Sequence, residues 1–354
     1  MRWTIKPKPD PSKVARLSQE LAVDLTTSFL LAQRGIDTFE EAKNFFRPDL
    51  NDLHDPFLMK DMEKAIVRIE EAVENQENIL VYGDYDVDGT TSVALMSSYL
   101  LSFYPNVATY IPDRYDEGYG ISYKGIDFAE DNNFSLIIAL DCGIKAVDKV
   151  AYAAKKGVDF IICDHHRPGA EIPTAKAVLD PKQEDCEYPF KELCGCGVGF
   201  KLIQALASKK GETVNDLVLY LDLVATAIGA DIVPIVGENR ILAYHGLKVI
   251  NENPRPGFEA ILKQVKKEKL TITDVVFIIA PRINAAGRMK HGNHAVTLLC
   301  ETDINLAAKY AIDIDTYNTD RRDADKRITI EALTQIEKNM EQDRFTSVVY
   351  NENW

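Results

Sequence analysis

The chain has 354 residues, 46% of them hydrophobic, with six cysteines and a formal net charge of −14. This length and apolar content suit two or three structural units rather than one small domain, and six cysteines in so long a chain read as reduced thiols rather than a disulfide framework. The opening Met-Arg-Trp-Thr-Ile-Lys-Pro-Lys-Pro holds no apolar signal stretch, and the most apolar run, Leu217 to Ile235, is interrupted by Asp222 and Asp231, so it is no low-cost membrane span.

Up to about Leu80 the pattern is helical. Ser18 to Leu31 recurs at helical spacing, Thr38 with Glu41 forms an N-cap signature, and Asp61 to Asn75 is amphipathic. Short apolar runs then alternate with helical stretches: Asn78–Tyr82, Val107–Ile111, Ser135–Leu140, Val158–Cys163 and Ala175–Leu179. Such alternation predicts an α/β, doubly wound and mostly parallel sheet covered on both faces. A long apolar helix is expected over Asp216 to Ala230. From about Asp303 to Met340 a connector helix is expected, with Ala307, Tyr310, Ala311, Ile314, Tyr317, Ala324 and Ile328 on one face.

The acidic residues fall where such a sheet builds sites, beyond the carboxyl ends of its strands. Asp84, Asp86 and Asp88 follow the first strand, Asp141 ends the third, and Asp164-His165-His166 ends the fourth. Asp231, after the apolar helix, can reach the same edge. Carboxylates with one imidazole are what Mg²⁺ and Mn²⁺ prefer. Without cations, five or six converging carboxylates would repel and raise each other's pKa values. Two divalent ions would hold them and favour in-line displacement at phosphorus. The acidic balance speaks against a chain-wide nucleic-acid surface, yet bound metals invert the local potential of such a site.

Bland readings apply elsewhere. Gly-Asp-x-Asp-x-Asp-Gly alone reads as a calcium loop or solvated turn, but it lacks EF-hand spacing. Asp141 alone reads as a helix N-cap over Gly143 and Ile144. Cys194-Gly-Cys196 lacks a second ligand pair at zinc spacing and reads as structural. Lys263, Lys266, Lys267 and Lys269 read as a solvated helix face, and His291 and His294 match no ligand position. Tyr115 and Tyr119 suit base stacking and core packing equally.

Val-Tyr-Gly-Asp84-Tyr-Asp86-Val-Asp88-Gly, Ala-Leu-Asp141-Cys-Gly, Cys-Asp164-His165-His166 and Gly-Ala-Asp231-Ile-Val-Pro together resemble the four motifs of the DHH phosphoesterase family. Pro56-Phe-Leu-Met-Lys-Asp-Met, Ile111-Pro-Asp-Arg114, Glu117-Gly-Tyr-Gly120, Leu193 to Phe200, Glu238-Asn-Arg240, Ala280-Pro-Arg282-Ile-Asn284-Ala-Ala-Gly-Arg288 and Asn318 with Arg321-Arg322 resemble its RecJ branch. That resemblance implies 5′→3′ removal of mononucleotides from single-stranded DNA with Mn²⁺ or Mg²⁺, in recombination and repair in the cytoplasm. By motif position, Asp88, Asp141, His165 and Asp231 would hold one ion, and Asp84, Asp86 and Asp141 the other. His166 would face the scissile phosphate, Asp164 would orient a histidine, and Arg282, Asn284 and Arg288 would touch DNA phosphates. Single-strand-binding protein and a helicase are expected as partners of a full-length protein.

The resemblance divides the chain into an N-terminal helical region (1–76), a DHH domain (77–250), a helical extension (251–302) and a connector helix (303–354) that leads into the start of a DHHA1 domain. The chain is therefore expected to be a fragment lacking most of DHHA1 and an OB-fold. Two other readings stay open: a DHH phosphodiesterase for short oligonucleotides or cyclic dinucleotides, and a non-catalytic DHH protein that binds DNA or a helicase.

Overall fold

A computed structural model describes residues 3–265 and 267–354; Lys266 of the lysine run lies outside them. The N-terminal region is helical: α1 (Pro11–Leu21), α2 (Leu25–Gln33), α3 (Phe39–Phe46) and α4 (Met62–Glu74). The single periodic run expected over Ser18 to Leu31 is two helices. Ala22 turns left-handed at φ 51° and Asp24 caps the second helix through the amides of Thr26 and Thr27, so a local side-chain cap overrides the continuous periodicity. Thr38 and Glu41 form the expected reciprocal capping box at α3.

The centre of the molecule alternates strands and helices. In order come β1 (Asn78–Gly83), α5 (Val87–Leu101), β2 (Val107–Tyr110), α6 (Tyr123–Asp131), β3 (Phe134–Leu140), α7 (Val147–Lys155), β4 (Asp159–Cys163) and β5 (Ala177–Leu179). All four strand pairings are parallel, in the order β2-β1-β3-β4-β5. Alternate residues of β1 point to opposite faces. Ile79 and Val81 join the core formed with α4, α5 and α8 (Gly195–Lys209), whereas Leu80 and Tyr82 pack with residues of α6 and α7. The chain reverses direction across the sheet between β1 and β3, and a crevice at such a switch point is where doubly wound sheets bind ligands.

Beyond α8 the fold is helical. A 3₁₀ segment over Val214–Tyr220 precedes α9 (Leu221–Ala230), so the expected long helix is α-helical only in its second half. Next come α10 (Gly237–Glu252), α11 (Pro256–Val265), a single turn α12 (Ile272–Asp274), α13 (Ala280–Met289), α14 (Asn293–Cys300) and the 35-residue α15 (Ile304–Lys338). In α15 only Ala307, Ala311, Ile314 and Asn318 are buried; beyond Asn318 the apolar face, with Ala324 and Ile328, is only half-buried. Among the described residues no helix is long and apolar enough to cross a membrane.

Candidate metal centre

Each strand end delivers its side chain for a local reason. Asp86 caps α5, its Oδ1 accepting from the amide of Gly89 at 3.0 Å. Gly89 lets the first turn of that helix lie against the backbone of Asp84, since a Cβ there would sit 2.3 Å from the Asp84 carbonyl oxygen. Asp88 lies inside α5, fully buried, and turns towards α8. Both its oxygens accept amides at the start of that helix, Gly195 at 2.6 Å and Cys196 at 2.7 Å, where the helix dipole favours a negative charge. This is the task of the Cys194-Gly-Cys196 segment. Its thiols are buried and free, and Cys194 also caps the helix.

Asp141 follows β3 in the left-handed region at φ 60°, a conformation costing roughly 1–3 kcal/mol in a residue other than glycine. It does not cap the following turn. The Ile144 amide goes instead to Asp164 Oδ2 at 2.9 Å, which leaves the Asp141 carboxylate facing inward. Gly195 presses directly on it, because a Cβ there would lie 2.6 Å from the Asp141 Cβ.

His165 is the hub. Its Nε2 lies 3.1 Å from Asp141 Oδ1, and 3.7 Å from both Asp88 Oδ2 and Asp231 Oδ2. Burial, with repulsion from His166, pushes His165 down to about 4, so at neutral pH the ring carries no charge to satisfy these carboxylates. Neither His165 Nε2 nor Asp141 Oδ1 makes a hydrogen bond, and both are buried. A nitrogen lone pair and three carboxylate oxygens turned towards one another, with the shortest pair unpartnered, are the donor set of a divalent cation. Ligand atoms of Asp88, His165 and Asp231 lie within 4.8 Å of one another, as do those of Asp141, His165 and His166.

The electrostatics agree. Burial, then the charges of Asp231 and Asp86, pushes Asp88 up to about 8, and burial with repulsion from Asp88 holds Asp141 well above the carboxylate range. Asp84 rises to about 7 from burial and Asp86, and Asp231 to about 6 from the same two causes. Asp84 Oδ2 is buried without a partner. Asp84 and Asp86 join neither group of close ligand atoms; the charge of Asp86 reaches Asp88 and Asp141, and Asp84 is within reach of Asp86.

Asp164 behaves differently. Burial raises its pKa, but the ring of His166 and three backbone amides outweigh burial and hold it below the ordinary range. Its Oδ1 sits 2.8 Å from His166 Nδ1, which fixes that ring and raises its pKa. The His166 ring is part-exposed beside a cavity of about 320 Å³ lined by Tyr119, Cys142, Ile144, Lys145 and Lys149. Tyr119 meets the ring edge-on at 6.3 Å; it and Tyr115 are 52% and 77% exposed, so neither is a core residue.

The predicted DNA residues on α13 separate. The Nε and Nη2 of Arg282 face Asp315 Oδ1 at 2.9 and 2.8 Å, and Nη1 reaches the Ile278 carbonyl, so its guanidinium ties α13 to α15. Asn284 is half-buried and Arg288 exposed. Arg288 sits in a cationic group that sequence reasoning did not assemble. Burial, then repulsion from Arg114 and Arg321, lowers its pKa, and Asp86 is the nearby opposing charge. Arg114 lies over the Tyr85 ring at 4.3 Å, and its Nε, like that of Arg321, is buried without a partner. Both arginines stand in motifs already singled out; only their convergence was hidden. Asp180, directly after β5, was missed too. It is fully buried, its Oδ2 has no partner, and burial pushes it up to about 7. The strand-end rule applied to the fifth strand finds it.

A model of the DHH family, N-terminal domain, matches residues 78–228. A solved structure of exonuclease RecJ bound to manganese superposes with a TM-score of 0.74 at 30% identity, covering 81% of this chain and 72% of that one. This chain belongs to the RecJ family. RecJ of Thermus thermophilus, solved with Mn²⁺, superposes with a TM-score of 0.80 at 26% identity over 93% of this chain and 47% of that chain. The single-stranded-DNA-specific exonuclease RecJ of Bacillus subtilis is 41% identical over 340 residues, 96% of this chain and 42% of the relative. The Escherichia coli RecJ is 34% identical over 343 residues, 92% of this chain and 58% of the relative. The chain thus spans about half the length of the curated RecJ relatives it matches.

Proposed function

We propose that this chain carries the catalytic centre of a single-stranded-DNA-specific 5′→3′ exonuclease. It would hydrolyse phosphodiester bonds on two Mn²⁺ or Mg²⁺ ions and release mononucleotides during DNA recombination and repair in the cytoplasm. The observation that carries this reading is the buried, unpartnered meeting of Asp141 Oδ1 and His165 Nε2 with Asp88 and Asp231 beside them.

In this reading Asp88, Asp141, His165 and Asp231 hold one ion. Asp84, Asp86 and Asp141 hold the second, with Asp141 shared. When bound, the two cations supply Lewis acidity to the attacking water and to the phosphoryl oxygens. The protein does the rest. The amides of α8 fix Asp88, Gly195 fixes Asp141, and Asp164 fixes His166. His166, with Nδ1 engaged by Asp164 and its pKa raised, presents its other nitrogen as a donor to charge developing on the phosphate. Arg114, Arg288 and Arg321, none of which makes an ion pair among the described residues, bind a strand phosphate beside Asp86, since guanidinium groups suit phosphate oxygens. Arg282 is assigned to α15 and not to DNA.

The test compares long single strands, dinucleotides and cyclic dinucleotides as substrates for the full-length parent protein in Mn²⁺. Mononucleotides should leave from the 5′ end of the long strand. Turnover of cyclic dinucleotides with none of long strands would sink the reading. Unchanged activity in Asp88→Ala would sink the ligand assignment.

A further inference from the structure

On the side of the metal centre marked by His165 and His166, the loops after β4 and β5 enclose a second cavity of about 610 Å³. Its walls include Arg167, Lys182, Lys60, Gln183, Glu184 and Asp185. Lys60 is neutralised by Asp185 at 2.6 Å. Among the described residues the exposed Arg167 and the half-buried Lys182 make no ion pair, although this chain is acidic overall. Arg167 directly follows His166. Lys182 is held by its own backbone, whose amide donates to the buried Asp180 at 2.7 Å. The group of Arg114, Arg288 and Arg321 instead has Asp86 as its neighbour. Arg167 therefore adjoins the ligand set at His166, and the Arg114 group adjoins it at Asp86.

We propose that Arg167 and Lys182 form a second phosphate subsite, taking a backbone phosphate of the same strand on the other side of the scissile bond from the Arg114 group. The inference rests on the nuclease reading, because it needs a polyanionic strand lying across the centre. A strand gripped on both sides presents one phosphodiester to the ligands in a fixed register, which is the positioning that phosphoryl chemistry needs.

The experiment is fluorescence anisotropy of this chain with a labelled oligothymidylate in Ca²⁺ over a range of salt. Arg167→Gln/Lys182→Gln should weaken binding by about fivefold or more at 0.1 M salt and make the salt dependence shallower by about one in log–log slope. Arg167→Lys/Lys182→Arg should retain most of the affinity. A dinucleotide has one phosphodiester, which lies at the centre itself, so it should lose nothing in the neutral variant. Calorimetry with Mn²⁺ keeps the ligand set in view. Equal affinity and slope for wild type and variant overturn the subsite, as does an absence of wild-type binding. An equal loss for the dinucleotide overturns it too, by placing the effect at the scissile phosphate. None of these readings needs turnover. A chain that binds through this subsite but, in its full-length parent, releases no nucleotide in Mn²⁺ refutes the nuclease reading alone.

Discussion

Two of the clusters of buried charge among the described residues are built on opposite plans. Lys201 and Glu238 are both fully buried, 3.1 Å apart, and every strong group around them is satisfied. Lys201 also donates to the His54 carbonyl at 2.7 Å, while Glu238 accepts from Tyr188 Oη at 2.7 Å and from the His54 amide at 3.0 Å. The other cluster gathers Asp88, Asp141 and Asp231 round a neutral histidine and leaves Asp141 Oδ1 and His165 Nε2 unpartnered. Neutralised burial ties the N-terminal region to α8 and α10. Burial of like charges without partners makes no structural sense until something positive enters. Satisfaction, and not burial alone, separates a strut from a site.

The sharpest way to break this contrast is to change one ligand. Asp141→Asn should remove several kcal/mol of cation-borne charge stabilisation, on the order of a thousandfold in the Mn²⁺-dependent nuclease rate of the parent protein. It should at the same time raise the melting temperature of the metal-free chain near neutral pH, since the amide removes a buried carboxyl that must take up a proton to fold among its acidic neighbours. Full activity, or a lower melting temperature without metal, would dissolve the distinction. The reverse holds at the strut. Glu238→Ala strands the Lys201 ammonium in the core and should cost about 3–5 kcal/mol of stability, read by denaturant unfolding. Lys201→Met/Glu238→Leu, which removes both charges, should cost much less.

The pH dependence sharpens the same point with a smaller effect. Asp84 and Asp88 keep their protons in the folded chain up to about pH 7 and 8, whereas the unfolded chain has lost them by about pH 5. The folded state therefore binds more protons, and stability falls as pH rises through that window. Neutral His165 works the other way, but only between about 4 and its unfolded value near 6.5. The metal-free chain should accordingly melt at a falling temperature from pH 6.5 to 8.5, and saturating Mn²⁺ should flatten the curve. A metal-free curve that rises over that range would show that the carboxylates are not held protonated.

How much of this was legible beforehand follows the same divide. The five strands and the acidic residues and histidines at their ends could be read because parallel strands announce themselves as short apolar runs, and because this architecture places sites at one edge. Strand ends shifted by a residue or two, and the α2 boundary was hidden because the Asp24 cap is a local geometry that periodicity does not encode. The partner of Arg282 was hidden for another reason. Asp315 lies 33 residues away on a different helix, and only tertiary packing brings the two together. The Arg114, Arg288 and Arg321 group comes likewise from three distant segments. Role, for a charged side chain, is decided by what long-range packing sets against it.

The smallest effect concerns Ile232, immediately after Asp231. A β-branched residue at φ 58° is strained, and this one is 80% exposed, so no burial compensates it. Ile232→Gly removes a strain of roughly 1–3 kcal/mol but adds chain entropy to the unfolded state, leaving a net gain of about 1 kcal/mol. A surface residue held at such a cost beside a candidate metal ligand suggests that the stiff turn serves Asp231, whose carboxylate is the most exposed of those facing His165. The glycine variant should therefore melt higher while binding Mn²⁺ more weakly, because the carboxylate must then be ordered at the moment of binding. Higher stability with unchanged Mn²⁺ affinity would make the strain incidental. Lower stability would mean that Ile232 makes a contact which its exposure does not disclose.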